Sequence, residues 1–233
     1  MIDFHSHILP GIDDGSRSVE ESAEMLRALY RQGVELVALT SHFYANENSP
    51  RHFLERRSRA FARLAPVLGE DMPRVRLGAE VYYFRDISHM EGLERLCLEG
   101  TNVLLLEMPF NTWTEGEIRE VEDLCRSGRF TVMLAHIERY WKNQKRSVWQ
   151  RLRQAGAVFQ CNASFFKPGL HQGGAIRLLR QGYVHVVGTD CHNMSSRKPN
   201  MDVAAAALEK RLGQQEAADF FRRAYDYWEE WTA

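Results

Sequence analysis

Residues 102–136 read NVLLLEMPFNTWTEGEIREVEDLCRSGRFTVMLAH. The run NVLLLEM (102–108) is apolar on successive residues, as a strand buried on both faces is. Thr114-Glu-Gly-Glu117 then fits a capping box, in which a hydroxyl and a carboxylate satisfy the free N–H groups that open a helix. Gly128 stands where a left-handed helix end is expected. A second apolar run, FTVMLAH (130–136), begins two residues later. Strand, helix, Gly, strand is a βα unit, and a right-handed crossover makes its strands parallel.

The same rhythm extends both ways. Further runs are MIDF (1–4), VELVALT (34–40), VRLGAEV (75–81), AVFQCN (157–162) and VHVVGTD (184–190). Ser18-Val-Glu-Glu21 fits a second capping box, and Gly33, Gly156 and Gly182 each precede a strand by one or two residues. Seven strands alternating with helices predict an α/β fold whose parallel sheet closes, or nearly closes, into a barrel. No repeat, low-complexity tract or linker interrupts the chain, so residues 1–233 are expected to form a single domain. The tail 214–231 reads as an amphipathic helix with Ala217, Phe221, Ala224, Trp228 and Trp231 on one stripe. Core packing is its expected use, with a partner surface as the alternative.

Composition narrows the class. The 233 residues are 44% hydrophobic and 26% charged, with a formal net charge of −1. That balance supports a core, excludes a disordered chain and weighs against nucleic acid as the main partner. No apolar run is long enough for a membrane span, and Met1 leads into Ile-Asp-Phe-His without a basic segment or a long apolar one. No signal peptide is therefore expected. Four cysteines without CxxC spacing fit reduced thiols and a cytoplasmic location. Of the 30 basic residues 25 are Arg and 5 Lys. Arg56, Arg59 and Arg63 share helical spacing, which reads first as a solvated helix face and otherwise as a surface for an anionic partner.

Chemistry gathers at the strand ends. The runs end in His5-Ser-His7, Thr-Ser-His42, Gly-Ala-Glu80, Leu-Leu-Glu107, Leu-Ala-His136, Gln-Cys-Asn162 and Asp190-Cys-His192. The chain has 9 His, so roughly three positions at each of seven strand ends would hold fewer than one by chance. Five fall there. Carboxylates packed together repel, and buried charges need partners. Two or three divalent cations satisfy both demands, and imidazole with carboxylate but no thiolate suits Mn, Fe or Zn. The period of two in His5-x-His7 and Asp190-x-His192 points each pair to one face, with Cys191 directed away.

Asp13-Asp14-Gly15, otherwise an ordinary turn, places a further carboxylate beside the first His pair. Arg139 and Arg197 follow His136 and His192 on the same rim, where guanidinium forks can clamp phosphate oxygens. His52, His89, His171 and His185 read as packing or solvent-facing residues. Cys191 and Arg197 also match C-x5-R, the spacing of thiolate phosphatases, but that loop lacks the glycines of a tight anion nest.

HSHILPGIDDG (5–15), TSH (40–42), GAEVYY (78–83), LAHIERY (134–140), GTDCHN (188–193) and SSR (195–197) together resemble the polymerase-and-histidinol-phosphatase (PHP) superfamily. Within it they are most similar to the manganese-dependent bacterial protein-tyrosine phosphatases of capsule and exopolysaccharide loci. The resemblance runs from Met1 to about Asn200; the chain then ends DYWEEWTA, where similar proteins carry an Asn-Pro-containing helix. It implies a distorted (β/α)7 barrel, the PHP fold, with a metal site at the C-terminal ends of the strands. It further implies three divalent ions, Mn first, with Fe, Zn or Mg as alternatives. His5, His7, Glu80 and Asp190 would hold one. Glu80 would bridge to a second on Glu107 and His136, and Asp14, His42 and His192 would hold a third.

Arg139 and Arg197 fall where the family binds phosphate. The implied activity is hydrolysis of phosphotyrosine on a protein, by metal-activated hydroxide attack on phosphorus. The implied substrate is a bacterial tyrosine kinase that controls polysaccharide export, with no nucleic-acid partner, no membrane span and an oligomer open. Alternatives are histidinol-phosphate phosphatase or another PHP phosphoesterase, a Cys191-dependent phosphatase, and an inactive metal-binding scaffold.

Overall fold

A computed structural model describes residues 1–232. Nine strands are present among the described residues: β1 (Ile2–Ser6), β2 (Leu36–Leu39), β3 (His42–Phe43), β4 (Arg74–Leu77), β5 (Glu80–Tyr82), β6 (Val103–Glu107), β7 (Thr131–Leu134), β8 (Val158–Asn162) and β9 (Val186–Gly188). Seven helices accompany them: α1 (Val19–Arg31), α2 (Pro50–Leu64), α3 (Glu115–Arg126), α4 (Arg146–Gln154), α5 (Gln172–Arg180), α6 (Met201–Leu212) and α7 (Gln214–Thr232). Every strand pairing is parallel, in the orders β1-β2-β4 and β3-β5-β6-β7-β8-β9.

Two of the expected runs are broken, at Thr40-Ser41 between β2 and β3 and at Gly78-Ala79 between β4 and β5. Backbone bonds carry the ladder across both breaks: Gly78 N–H donates to Leu39 at 3.0 Å and Glu80 N–H to Ser41 at 3.1 Å. A Cβ on Gly78 would lie 2.6 Å from Leu98 Cδ2, so any larger residue at the crossing requires the Leu98 side chain to move. At the far side Asp190 N–H donates to His5 (2.7 Å) and His7 N–H to Cys191 (2.9 Å), so the segment after β9 runs along β1. The result is a mixed α/β fold with a curled parallel sheet.

The curl has two apolar layers. One lies between strands and helices and contains Val37, Leu39, Leu104, Leu106, Val132 and Leu134. The other fills the inside with Ile2, Phe4, Leu36, Ala38, Leu105 and Met133. Helix α7 plugs that inner layer: Ala224 is buried, and the Trp228 and Trp231 rings lie 6.1 and 5.9 Å from Phe4. The tail stripe is therefore core packing, although Phe220 and not Phe221 is its fully buried aromatic.

Helix punctuation follows the sequence closely. Gly33, Gly128, Gly156 and Gly182 all have positive φ, between 68° and 97°. Thr114 and Glu117 form both halves of the capping box. At Ser18 only the hydroxyl half forms, accepting from Glu21 N–H at 3.2 Å. Glu21 reaches instead to the N–H groups of Arg17 (3.0 Å) and Met194 (3.2 Å), tying α1 to the loop after His192.

Candidate metal centre

A bulge in β1 aims the first two imidazoles. The pairs Ile2↔Leu36, Asp3↔Val37 and Ser6↔Leu39 match three steps along β1 to two along β2. Strict alternation would place His5 and His7 with Asp3, on the face away from Phe4. The extra residue reverses the parity, so Phe4, His5 and His7 all face inside the curl. Opposite them, His136 and Asp190 adopt φ of 30° and 52° at their strand ends. Left-handed backbone on non-glycine residues is uncommon and collects at functional sites. Gly188 supplies the clearance, because a Cβ there would lie 2.6 Å from His5 Cβ and 3.0 Å from His5 N.

These side chains converge on Glu80, which is buried and stands at the start of β5. Its Oε2 lies 2.9 Å from His42 Nδ1 and 3.2 Å from both His5 Nε2 and His7 Nε2. Its Oε1 lies 2.8 Å from His136 Nε2, which is also 3.3 Å from Glu107 Oε1. Asp14 Oδ1 sits 3.3 Å from His192 Nε2 and 3.5 Å from His42 Nε2. Asp190 Oδ1 is 3.5 Å from His7 Nε2 and 3.7 Å from His5 Nε2. All nine ligand candidates from the sequence fall into four overlapping groups: His7, Asp14, His42 and His192; His5, His7 and Asp190; His5, Glu80 and His136; His42, Glu80 and Glu107.

The charges of the cluster answer one another. Burial favours a neutral Glu80, but His5, His136 and His42 outweigh it and hold its pKa well below the usual carboxylate range. Asp190 is likewise held low against burial, by His5, His7 and Arg139. Burial opposes a charge on His7, yet Asp13 and Glu80 raise its pKa well above the ordinary value. His136 is raised to about 9, Glu107 and Glu80 overcoming burial, while burial and the neighbouring His7 push His192 down to about 3.

Residues outside the candidate set fix the imidazoles. His7 Nδ1 meets Asp13 Oδ2 at 2.8 Å, and His192 Nδ1 meets the Asp190 carbonyl at 3.0 Å. Both contacts turn Nε2 toward the cluster, as outer partners of metal-bound histidines do. Asp13 also accepts from the N–H groups of Gly15 and His42, each at 3.0 Å. Gln160 Oε1 accepts from His136 N–H (2.6 Å), and Gln160 Nε2 donates to Asn162 Oδ1 (3.0 Å). Asn162 Nδ2 completes the chain, donating to Asp190 Oδ2 (2.8 Å). Sequence reading gave none of Asp13, Gln160 and Asn162 a committed role, although all three sit in motifs it marked.

The arrangement fits divalent cations. Glu80 Oε2 and His192 Nε2 are buried without a hydrogen-bond partner, although imidazole nitrogens or carboxylate oxygens lie 2.9–3.3 Å away. His5 Nε2 faces His7 Nε2 at 3.1 Å, two ring nitrogens aimed at one point. The close approach of Glu80 Oε2 and His192 Nε2 to their neighbours without hydrogen-bond alignment suits donors that share ions, and an all-nitrogen-and-oxygen set suits Mn, Fe, Zn or Mg.

Arg139 and Arg197 stand at the rim, each side chain 37% exposed, and both donate to Asp190, Arg197 at 2.7 Å. Phe110, half exposed, lies 5.8 Å from the His136 ring, and Tyr44 stacks on His42 at 5.3 Å. Cys191 is fully buried, and burial pushes its thiol well above the ordinary value. His185 is a packing residue, as expected: its Nδ1 accepts from Phe159 N–H at 3.0 Å.

Comparison with known proteins places the chain in a family. A family model described as capsular polysaccharide synthesis, CpsB/CapC, matches residues 1–226, beyond the reach of the sequence motifs. The tyrosine-protein phosphatase CpsB of Streptococcus pneumoniae is 32% identical, with 95% of each chain covered. The tyrosine-protein phosphatase YwqE of Bacillus subtilis is 30% identical over 92% of this chain and 86% of its own. A solved structure from work on YwqE and CpsB, described there as metal-dependent tyrosine phosphatases, superposes with a TM-score of 0.80 at 28% identity. It covers 95% of this chain and 92% of that one. A chain of archaeal ribonuclease P superposes at 0.59 with 14% identity, a likeness of fold alone.

Proposed function

The chain belongs to the capsular polysaccharide synthesis CpsB/CapC family, and from that premise we propose that it is a metal-dependent protein-tyrosine phosphatase. The observation that carries the reading is Glu80, whose two oxygens touch four imidazoles from three different strand ends. We read residues 1–233 as one phosphatase domain and the curled sheet as a distorted (β/α)7 barrel, with the metal site at the C-terminal strand ends. The proposed ligands are His5, His7, Glu80 and Asp190 for one ion. A second falls to Glu80, Glu107 and His136, and a third to Asp14, His42 and His192. Three divalent ions, Mn first, match that donor set. Bound there, they supply Lewis acidity, making water nucleophilic at neutral pH and offsetting charge on the phosphate oxygens.

The chain's own residues do the rest. Arg139 and Arg197, held at the rim by Asp190, bind the non-bridging phosphate oxygens through fork geometry. Phe110 and Tyr44 offer flat faces to the phenol ring. Tyrosine leaves as a phenolate of pKa about 10, easier to expel than an alkoxide, so no dedicated general acid is required. The proposed substrate is a tyrosine-phosphorylated protein, a bacterial tyrosine kinase first, met in the cytoplasm. Among the described residues no helix is long and apolar enough to cross a membrane.

The test is activity of protein stripped of metal and refilled with Mn, Fe, Zn or Mg, with metal counted on the same sample. Phosphotyrosyl peptide, histidinol phosphate and 5′-phosphorylated DNA compete as substrates. Metal-dependent preference for the peptide is expected, with Cys191→Ser retaining turnover. Preference for histidinol phosphate, or a Cys191→Ser loss as deep as that of His136→Ala, overturns the assignment.

A further inference from the structure

Helix α2 carries Arg56, Arg59 and Arg63, three guanidinium groups that the catalytic reading leaves unused. They line, with Ala60, one wall of a groove of about 510 Å³ whose other wall is Gly11 and Ile12. Arg56 donates to the Ile12 carbonyl and Arg63 to the Pro10 carbonyl, so both lean over the loop that leads to Asp14. Arg59 is exposed and makes neither a hydrogen bond nor an ion pair among the described residues. No carboxylate pairs with any of the three; the ion pair on this helix joins Arg51 to Glu55. Asp13, the nearest acid along the loop, is committed to His7 and His42. Three positive charges therefore face one concave surface without a counter-charge, in a chain whose net charge is −1. That surface selects an anion.

Its position says which anion. Ile12 is two residues from Asp14, so the groove begins within about 8 Å of that ligand along the backbone. An extended peptide advances about 3.3–3.6 Å per residue, so a side chain two to four residues from a phosphotyrosine at the metal centre reaches it. We propose that the groove is a substrate subsite that receives an Asp or Glu side chain flanking the target phosphotyrosine, with Arg59 as its free guanidinium. The proposal deepens the phosphatase reading and rests on it.

The experiment uses Mn-loaded protein, p-nitrophenyl phosphate and phosphotyrosyl peptides in an alanine background with one Glu scanned along each side. A Glu within four residues of the phosphotyrosine is expected to lower KM about three- to tenfold, the worth of a partly exposed charge pair. Arg59→Glu and high salt should both erase that advantage, since screening acts on exposed pairs. The p-nitrophenyl phosphate kinetics should not move, because that ester is too short to reach the groove. Equal KM across the peptides, or a Glu preference that survives in Arg59→Glu, overturns the subsite while leaving the phosphatase standing. Failure of the loaded protein to cleave p-nitrophenyl phosphate removes both.

Discussion

Asp13 and Asp14 are neighbours of identical chemistry with different work. Asp14 points its carboxylate at His42 and His192, whereas Asp13 holds the back of His7 and the backbone of His42. Nothing in the pair Asp-Asp tells them apart; the turn closed by Gly15 does. A Cβ on Gly15 would fall 2.2 Å from the His7 carbonyl, so only glycine lets the loop double back this tightly. Asp13→Asn should keep the fold and lower Mn affinity about 10- to 100-fold, as loss of an outer partner to a ligating histidine does. Metal titration followed by counting of bound ions checks this; unchanged affinity would reduce Asp13 to a loop residue. His5-x-His7 was legible because the period of two lies in the sequence itself. The bulge behind it was not, because an extra residue in β1 is defined only against its partner β2. The positive φ values of His136 and Asp190 escaped for the same reason: their neighbours impose them.

At the scale of elements, local signals were read well where local contacts decide. The capping box at Thr114 forms because both partners lie within one turn and nothing else competes for Glu117. Thr114→Ala should lower stability by about 1 kcal/mol, the usual worth of such a cap, with kcat/KM on phosphotyrosyl peptide unchanged. Denaturant melts and steady-state kinetics together test the separation. At Ser18 the same motif predicts two bonds and yields one, because a distant N–H, Met194, claims the Glu21 carboxylate. The breaks at Thr40-Ser41 and Gly78-Ala79 are likewise tertiary. They let β3 and β5 turn His42 and Glu80 into mutual register, a pairing that neither run contains alone.

For the molecule as a whole, metal and proton are the variables that move stability. A ligand that binds only the folded chain stabilises by RT ln(1 + [L]/Kd), or about 2.7 kcal/mol at a hundredfold excess over Kd. Adding Mn to stripped protein should raise Tm, chelator should reverse the rise, and a Tm indifferent to both contradicts the metal centre. Acid acts through His185, away from that centre. Burial first, and then Arg153, lower its pKa to about 4. The unfolded chain therefore binds the proton first as pH falls below about 6.5, so this contribution to stability is present above that pH and is lost down to about pH 4. Between pH 7.5 and 5.0 the loss should be roughly 2 kcal/mol. Urea melts of metal-loaded protein should find it reduced in His185→Gln, and equal pH slopes in the two proteins would contradict the assignment.

The seam between β1 and the segment after β9 joins residues almost two hundred positions apart, with Asp190 N–H on the His5 carbonyl and His7 N–H on Cys191. During synthesis the opening strand therefore waits with one margin bare until Asp190 and Cys191 have left the ribosome. Unpaired strand margins invite pairing with other chains. The interval before the seam zips is thus when the nascent protein is most exposed to misassembly, and the two ions proposed to be shared by β1 or its loop with Asp190 or His192 would reward only a chain whose seam has formed.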